Sequence, residues 1–319
     1  MMPAAHPDES DVPAFGHEGV LFTSSAELAE VVVPRIRAAV AAGDHVVIAM
    51  GDGHADAVRA GLGAAAGAVR FVERARWYDA PGRTLAALHR LGLTHAGRHV
   101  TVVGEPLLPL DEPLALREWH RLDSVLGAAL ATAPLRLICV HDERTLPAGV
   151  RREIARTHPV LVARSTGSAP SRHYRTPGAY SAADAGRRLP PPSGRTESLD
   201  IAADLPGLRE RLLGVADRIG MPDERVEDLV VCVNEMAANV LEHGAGKGSI
   251  SLWRTPGHVV CDVFDEGGGL TDPLSGYFPA DPLRVRGYGL WITRQVCDFM
   301  EVSGGPDGTL VRLYFRAGN

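Results

Sequence analysis

Aromatic residues are scarce in this 319-residue chain, at 5%. So few rings disfavour a surface built on stacked bases. Positive charge is not in excess either. The 33 Lys and Arg face 39 Asp and Glu, for a net charge of −6, and that balance disfavours a general electrostatic grip on nucleic acid. No apolar run approaches the ~18–20 residues that cross a bilayer. The opening residues, Met1 to Asp11, are polar, acidic and interrupted by proline, unlike a signal peptide. Only four cysteines occur (Cys139, Cys232, Cys261, Cys297), none in a CxxC pair. This excludes a zinc ribbon and disfavours a secreted disulfide framework. What remains is 45% hydrophobic and 23% charged, ordinary for a globular protein. At about 100–200 residues per domain the length suits two domains. The expectation is a cytoplasmic, two-domain protein with no membrane segment and no direct nucleic-acid contact.

The chain divides unevenly. Residues 1–15 read as a tail. A stretch rich in Pro, Gly, Ser, Ala and Arg runs over 165–198 and includes Pro190-Pro191-Pro192. It shows no sustained apolar period, so it buries too little surface to offset its ordering entropy. It reads as a linker between a first domain, 16–164, and a second, 199–317. Its five arginines against two acids over 165–197 read by default as a solvated face. In the first domain, near-continuous apolar strands (Gly19–Thr23, His45–Met50, Val69–Val72, His99–Val103, Leu135–Val140, Pro159–Val162) alternate with helical patterns at 25–42, 54–66, 82–92, 112–131 and 147–156. That alternation predicts a mostly parallel, three-layer α/β sheet. The second domain opens with helices at 205–220 and 223–243. Strands follow at Ser249–Arg254 and Val259–Phe264, then a Gly/Pro-rich loop over 266–287, a helix at 289–299, and strands Glu301–Ser303 and Thr309–Arg316. Helices on one face of a mixed sheet make a two-layer α/β sandwich.

The second domain concentrates the chemistry. Glu235, Asn239 and His243 stand at i, i+4 and i+8, so they line one helix face. Leu229, Val233, Met236 and Val240 mark the apolar face. A carboxylate one turn from an amide suits a base beside a divalent ion, and Mg²⁺ takes hard oxygen ligands together with phosphate oxygens. Asp265 follows an apolar strand, where its carboxylate can accept from an adenine amino group. Gly267, Gly268 and Gly269 after it permit close approach of backbone to a ligand. Gly287-Tyr288-Gly289-Leu290 opens a helix, whose first N–H groups suit phosphate. Gly308-Thr309 begins the last strand. Each piece alone is more often an ordinary turn; the order ExxxN, DxGxG, GxG, GT is the informative feature.

That order resembles the N, G1, G2 and G3 boxes of the GHKL (Bergerat-fold) ATPases, which include histidine kinases and gyrase, over essentially all of 199–317. Within them it looks most like the anti-sigma-factor serine kinases, through the E-x-x-x-N-x-x-x-H-G of Glu235 to Gly244. The resemblance implies an ATP and Mg²⁺ site. Glu235 would be the catalytic base, Asn239 the Mg²⁺ ligand, and Asp265 the adenine acceptor, with Gly267 and Gly269 shaping the pocket. Gly287 and Gly289 would hinge the lid, and Thr309 would complete the pocket floor. It further implies a sigma factor and an anti-anti-sigma (STAS) protein as partners, and relatives of this group commonly form homodimers. One departure concerns the lid, which has Leu283-Arg284-Val285-Arg286, with Pro273, Pro279 and Pro282 nearby, where sporulation-type kinases carry Arg-Ser before the G2 glycine. Three readings stand: a serine/threonine kinase, a non-catalytic ATP-gated switch that binds a sigma factor, and a histidine-kinase-like sensor. The last lacks a helical hairpin bearing a phospho-accepting histidine ahead of the domain.

In the first domain, Gly51-Asp52-Gly53-His54 links a strand to a helix. The absence of Gly-Lys-Ser/Thr there excludes a working Walker A, and an ordinary βα turn is the plainer reading. The domain resembles the MEDS sensory domain, a RecA-like fold without its P-loop. The resemblance rests on Gly16-His17-Glu18-Gly19-Val20-Leu21-Phe22, Trp77-Tyr78, Leu137-Ile138-Cys139-Val140-His141-Asp142 and Arg156-Thr157-His158-Pro159-Val160-Leu161. It implies that a small organic molecule or a protein is the signal. His17, His141 and His158 lie far apart in sequence and form no i, i+4 pair, so they read as core or cap histidines. Cys139 reads as a small strand hydrophobe.

Overall fold

A computed structural model describes residues 15–95, 97–163, 167–183, 189–267, 270, 272, 274–278, 288–305 and 308–317. The chain forms two compact units. One comprises Met1–Asp79, Ala87–Leu108 and Leu126–Arg175; the other comprises Ala80–Ala86, Pro109–Val125 and Thr176–Asn319.

The first unit begins with β1 (Gly16–Phe22), α1 (Ser25–Ala42), β2 (His45–Met50), α2 (Asp52–Leu62), β3 (Val69–Glu73) and the short α3 (Arg74–Trp77). Then come α4 (Pro81–Thr94), β4 (Val100–Gly104), α5 (Pro113–Ala129), β5 (Leu135–Asp142), α6 (Ala148–Thr157), β6 (Val160–Ala163) and β7 (Gly167–Pro170). The boundaries of α1 follow from its caps. Ser24 accepts from Glu27 N, and the Glu27 carboxylate accepts from Thr23 N at 2.8 Å. Gly43, at φ 85°, closes the other end, a left-handed conformation that suits glycine. The seven strands lie in the order β3-β2-β4-β5-β1-β6-β7, parallel except for β7. One sheet face is apolar: Val20, Phe22, Ile48, Val103, Ile138, Val140 and Val162 pack with Leu28, Val32 and Ile36 of α1 and Val58 of α2.

The second unit adds α7 (Pro177–Ala182), β8 (Thr196–Ile201), α8 (Leu205–Arg218), α9 (Asp223–His243), β9 (Gly248–Thr255), β10 (His258–Asp265), α10 (Gly289–Val296), β11 (Phe299–Gly305) and β12 (Gly308–Arg316). Its sheet runs β11-β12-β10-β9-β8 and is antiparallel throughout, which corrects the expectation of a mixed sheet. Leu208, Leu212 and Val215 of α8 pack with Leu229, Val233, Met236 and Val240 of α9 over Ile250, Leu252, Cys261 and Leu313 of the sheet. The opposite sheet face, with Trp253, Val260, Phe299 and Tyr314, packs with Leu114 and Ala115. Arg117 also pairs with Glu301, and Arg83 pairs with Asp298 at 3.0 Å. These contacts give the second unit residues 80–86 and 109–125, where the sequence suggested a single division at the linker.

The stretch read as a linker also carries structure. β7 pairs with β6, from Val160↔Pro170 to Ala163↔Gly167. Ser171 Oγ donates to Ala155 O at 2.5 Å, and Arg175 N donates to Arg156 O at 2.9 Å. β8 begins at Thr196, inside the same stretch. Main-chain bonds to neighbouring elements supply what apolar burial does not. Residues 165–166 and 184–188 of that stretch fall outside the described residues. The helix expected over 289–299 stops at Val296, and Phe299 opens β11 instead.

Candidate functional site

α9 places Glu235 and Asn239 one turn apart, both half-buried, with His243 exposed at its last position. Their side chains converge on the first residue of α10. A Cβ at Gly289 would lie 3.1 Å from Glu235 Oε2 and 3.0 Å from Asn239 Nδ2. Glycine there lets the α10 N-terminus approach the carboxylate and the amide together. Beside them is a cavity of about 330 Å³. Asn239, Asp265 and Thr309 supply polar groups, while Val240, Val263, Leu270 and Val311 supply apolar walls. Gly289 and Leu290 of α10 also line it.

The Asp265 carboxylate is fixed by backbone. Its Oδ1 accepts from Ala245 N at 3.0 Å and from Gly267 N at 2.8 Å. Two N–H donors on one oxygen fix the orientation of the group, and no hydrogen bond to Oδ2 occurs among the described residues. Thr309 stands directly across the β10–β12 ladder from Asp265, and its Oγ1 accepts from Leu270 N at 2.9 Å. Two glycines make this approach possible. A Cβ at Gly244 would fall 2.0 Å from Asp265 Oδ2, and one at Gly308 would fall 2.2 Å from the Asp265 carbonyl oxygen. The glycines of His243-Gly244 and Gly308-Thr309 therefore stand where side chains would displace the carboxylate strand.

Of the residues singled out from sequence, Asn239, Asp265, Gly289 and Thr309 line one cavity, Glu235 adjoins it through Gly289, and Gly267 holds Asp265. Gly269 and Gly287 lie outside the described residues, as do Gly268, Pro273, Pro279, Pro282, Leu283, Arg284, Val285 and Arg286. Sequence reasoning missed the Arg209 guanidinium, which donates to Asn234 Oδ1 at 2.7 Å and so ties α8 to α9 beside Glu235. It also gave no role to Leu270, whose place on the wall no periodicity signals. Burial pushes the Cys297 thiol up to about 12 and raises Cys232 and Cys261 well above the usual thiol range, which disfavours the reactive thiolate at the cysteines of this unit.

The residues present fit Mg-ATP. A slot of this size with apolar walls and one fixed carboxylate suits an adenine ring. An amide and a carboxylate beside a helix N-terminus suit a hydrated ion and phosphate. The first unit presents no such site at its glycine turn. There Gly51 N donates to Glu105 Oε2 at 2.8 Å, and the same carboxylate meets His54 at 3.1 Å and Arg74 at 2.8 Å. An internal anion occupies the place of a phosphate, in agreement with an ordinary βα turn.

Comparison with known proteins gives two family matches. Residues 200–315 match the family described as "Histidine kinase-like ATPase domain". Residues 16–159 match the one described as "MEDS: MEthanogen/methylotroph, DcmR Sensory domain". No curated protein matches. Among solved structures, the chain is similar to the RsbU and RsbW domains of Rv1364c from Mycobacterium tuberculosis, at 18% identity and a TM-score of 0.30. That match covers 40% of this chain and 33% of the other, so the chain spans about a third of that protein's length.

Proposed function

We propose that this chain, whose residues 16–159 are a MEDS sensory domain and whose residues 200–315 are a histidine kinase-like ATPase domain, works as an ATP-dependent regulatory serine/threonine protein kinase. Its substrate is a serine or threonine of an anti-anti-sigma (STAS) protein. In its ATP-bound state it also holds a sigma factor, and the sensory domain biases the choice between the two in the cytoplasm. The observation that carries this reading is the convergence of Glu235 and Asn239 on Gly289, at the edge of the cavity that Asp265 and Thr309 line. The E-x-x-x-N-x-x-x-H-G pattern of α9 supports the anti-sigma type.

Asp265 would accept from the adenine amino group through Oδ2, with Oδ1 anchored by Ala245 and Gly267. Val240, Val263 and Val311 would exclude water from the ring. Asn239 would hold Mg²⁺, which would supply positive charge to offset that of the phosphates. The N–H groups that open α10 would face the phosphates. Glu235 would take the proton from the acceptor hydroxyl. The hydroxyl oxygen then bonds to the γ-phosphorus, the bond to the bridging oxygen breaks, and ADP leaves with that electron pair. Such transfer depends mainly on positioning and charge neutralisation, and an intact carboxylate at 235 favours transfer over binding alone.

The test is transfer of label from γ-labelled Mg-ATP to STAS proteins encoded near the chain. Acid-stable label on the STAS protein, absent with Glu235→Ala and Asn239→Ala, is the expected result. Acid-labile label on the chain itself, or label that persists in Glu235→Ala, contradicts the reading.

A further inference from the structure

The sheet of the first unit has two unlike faces. Val20, Ile138, Val140 and Val162 lie on the apolar one. Side chains alternate along a strand, so His17 and Gly19 of β1 and Cys139 and His141 of β5 share the other. Gly19 pairs in register with Cys139, and β5 runs parallel to β1. His158, from the turn between α6 and β6, reaches the same place. Its ring centroid lies 4.2 Å from that of His17 and 5.5 Å from that of His141. Gly19 makes this possible, since a Cβ there would lie 3.0 Å from His158 Cγ. Three histidines and a cysteine far apart in sequence thus meet in the interior, where His17, Cys139, His141 and His158 are each at most 4% exposed.

We infer that His17, Cys139 and His158 form a binding site for a divalent transition-metal ion of the zinc class. One donor atom from each lies within 4.8 Å of the others, and a carboxylate oxygen of the buried Asp123 belongs to the same group. Cys139 Sγ and His17 Nε2 are 3.5 Å apart. A sulfur and a nitrogen bound tetrahedrally at about 2.3 and 2.0 Å are separated by about 3.5 Å, so that edge needs no movement. His158 Nδ1 bonds to Ile154 O at 2.9 Å. A carbonyl only accepts, so Nδ1 carries the proton and Nε2 keeps its lone pair. A ligating histidine held by its other ring nitrogen on a backbone carbonyl is the usual arrangement around protein-bound metals. Two imidazoles and a thiolate select zinc-class ions over Mg²⁺ or Ca²⁺. Binding converts the Cys139 thiol to a thiolate and releases one proton to solvent. The ion would add a cross-link between β1, β5 and the entry to β6, which are already neighbours in the sheet.

The test uses the full chain, stripped with a chelator and titrated with Co²⁺. The expected result is a thiolate-to-cobalt charge-transfer band that saturates at one ion per chain and disappears on adding Zn²⁺. Cys139→Ala and His158→Gln, shown to be folded by circular dichroism, lose the band. Cys297→Ala, in the other unit, keeps it. Absence of the band in the wild type, or its survival in Cys139→Ala, overturns the assignment. X-ray absorption of the wild-type zinc form decides the matter even where a variant fails to fold. One sulfur with nitrogen neighbours supports the site, and no sulfur or more than one overturns it. None of these readouts depends on nucleotide or kinase activity.

Discussion

Glu235 and Asp265 make separable demands on the chemistry. Glu235 borders the start of α10, whereas Asp265 lies across the cavity beside Thr309. Glu235→Gln keeps shape and hydrogen-bonding capacity but accepts no proton. It is expected to bind ATP as the wild type does and to transfer phosphate about 10²–10⁴-fold more slowly, the usual contribution of a positioned base. Equilibrium binding and label transfer on the same preparation separate the two effects. The cysteines give a simpler check. All four are buried, and burial holds Cys297 protonated to about 12. At pH 8 the native protein is expected to show no thiol reactive toward Ellman's reagent, and the protein in guanidinium chloride to show four.

At the scale of the element, α10 begins where no side chain fits comfortably. Gly289→Ala would press a methyl against Glu235 and Asn239. Shifting either off its rotamer costs about 0.5–1.5 kcal/mol. Nucleotide affinity is therefore expected to fall roughly two- to tenfold, with the melting temperature little changed. Ser24→Ala removes the acceptor that starts α1 and is expected to cost about 1 kcal/mol in urea unfolding. Elements like α1 and α9 were legible because their own residues set their ends: Ser24, Glu27 and Gly43 for one, and an apolar stripe ending at His243-Gly244 for the other. β7 was not legible, because Gly167–Pro170 has no apolar alternation and exists through pairing with β6. The histidine cluster was hidden for a related reason: parallel pairing of β1 with β5 and β6 joins residues more than a hundred positions apart. The order of motifs along α9, β10, α10 and β12 was legible because each motif is local. Their convergence on one cavity depends on the register that sets Asp265 against Thr309.

Across the whole molecule, the chain joins a mostly parallel sheet to an antiparallel one, and polar groups buried in the latter contribute to its stability. Asp262 and Arg312 form a two-bonded pair at 2.6 and 2.7 Å, with the guanidinium 4.8 Å from the Trp253 ring centre. Arg312→Met strands a buried carboxylate and is expected to cost about 3–5 kcal/mol. The double variant Asp262→Leu, Arg312→Met is expected to recover most of that loss, which a double-mutant cycle in urea measures. The account as a whole rests on one claim, that the cavity between α9, β10, α10 and β12 binds Mg-ATP. Isothermal titration of the full chain with ATP, with and without Mg²⁺, tests it most directly. The expected result is one nucleotide per chain, weakened by removing Mg²⁺, weakened in Asn239→Ala only when Mg²⁺ is present, and abolished in Asp265→Ala. ATP binding that is undiminished in Asp265→Ala would contradict the claim.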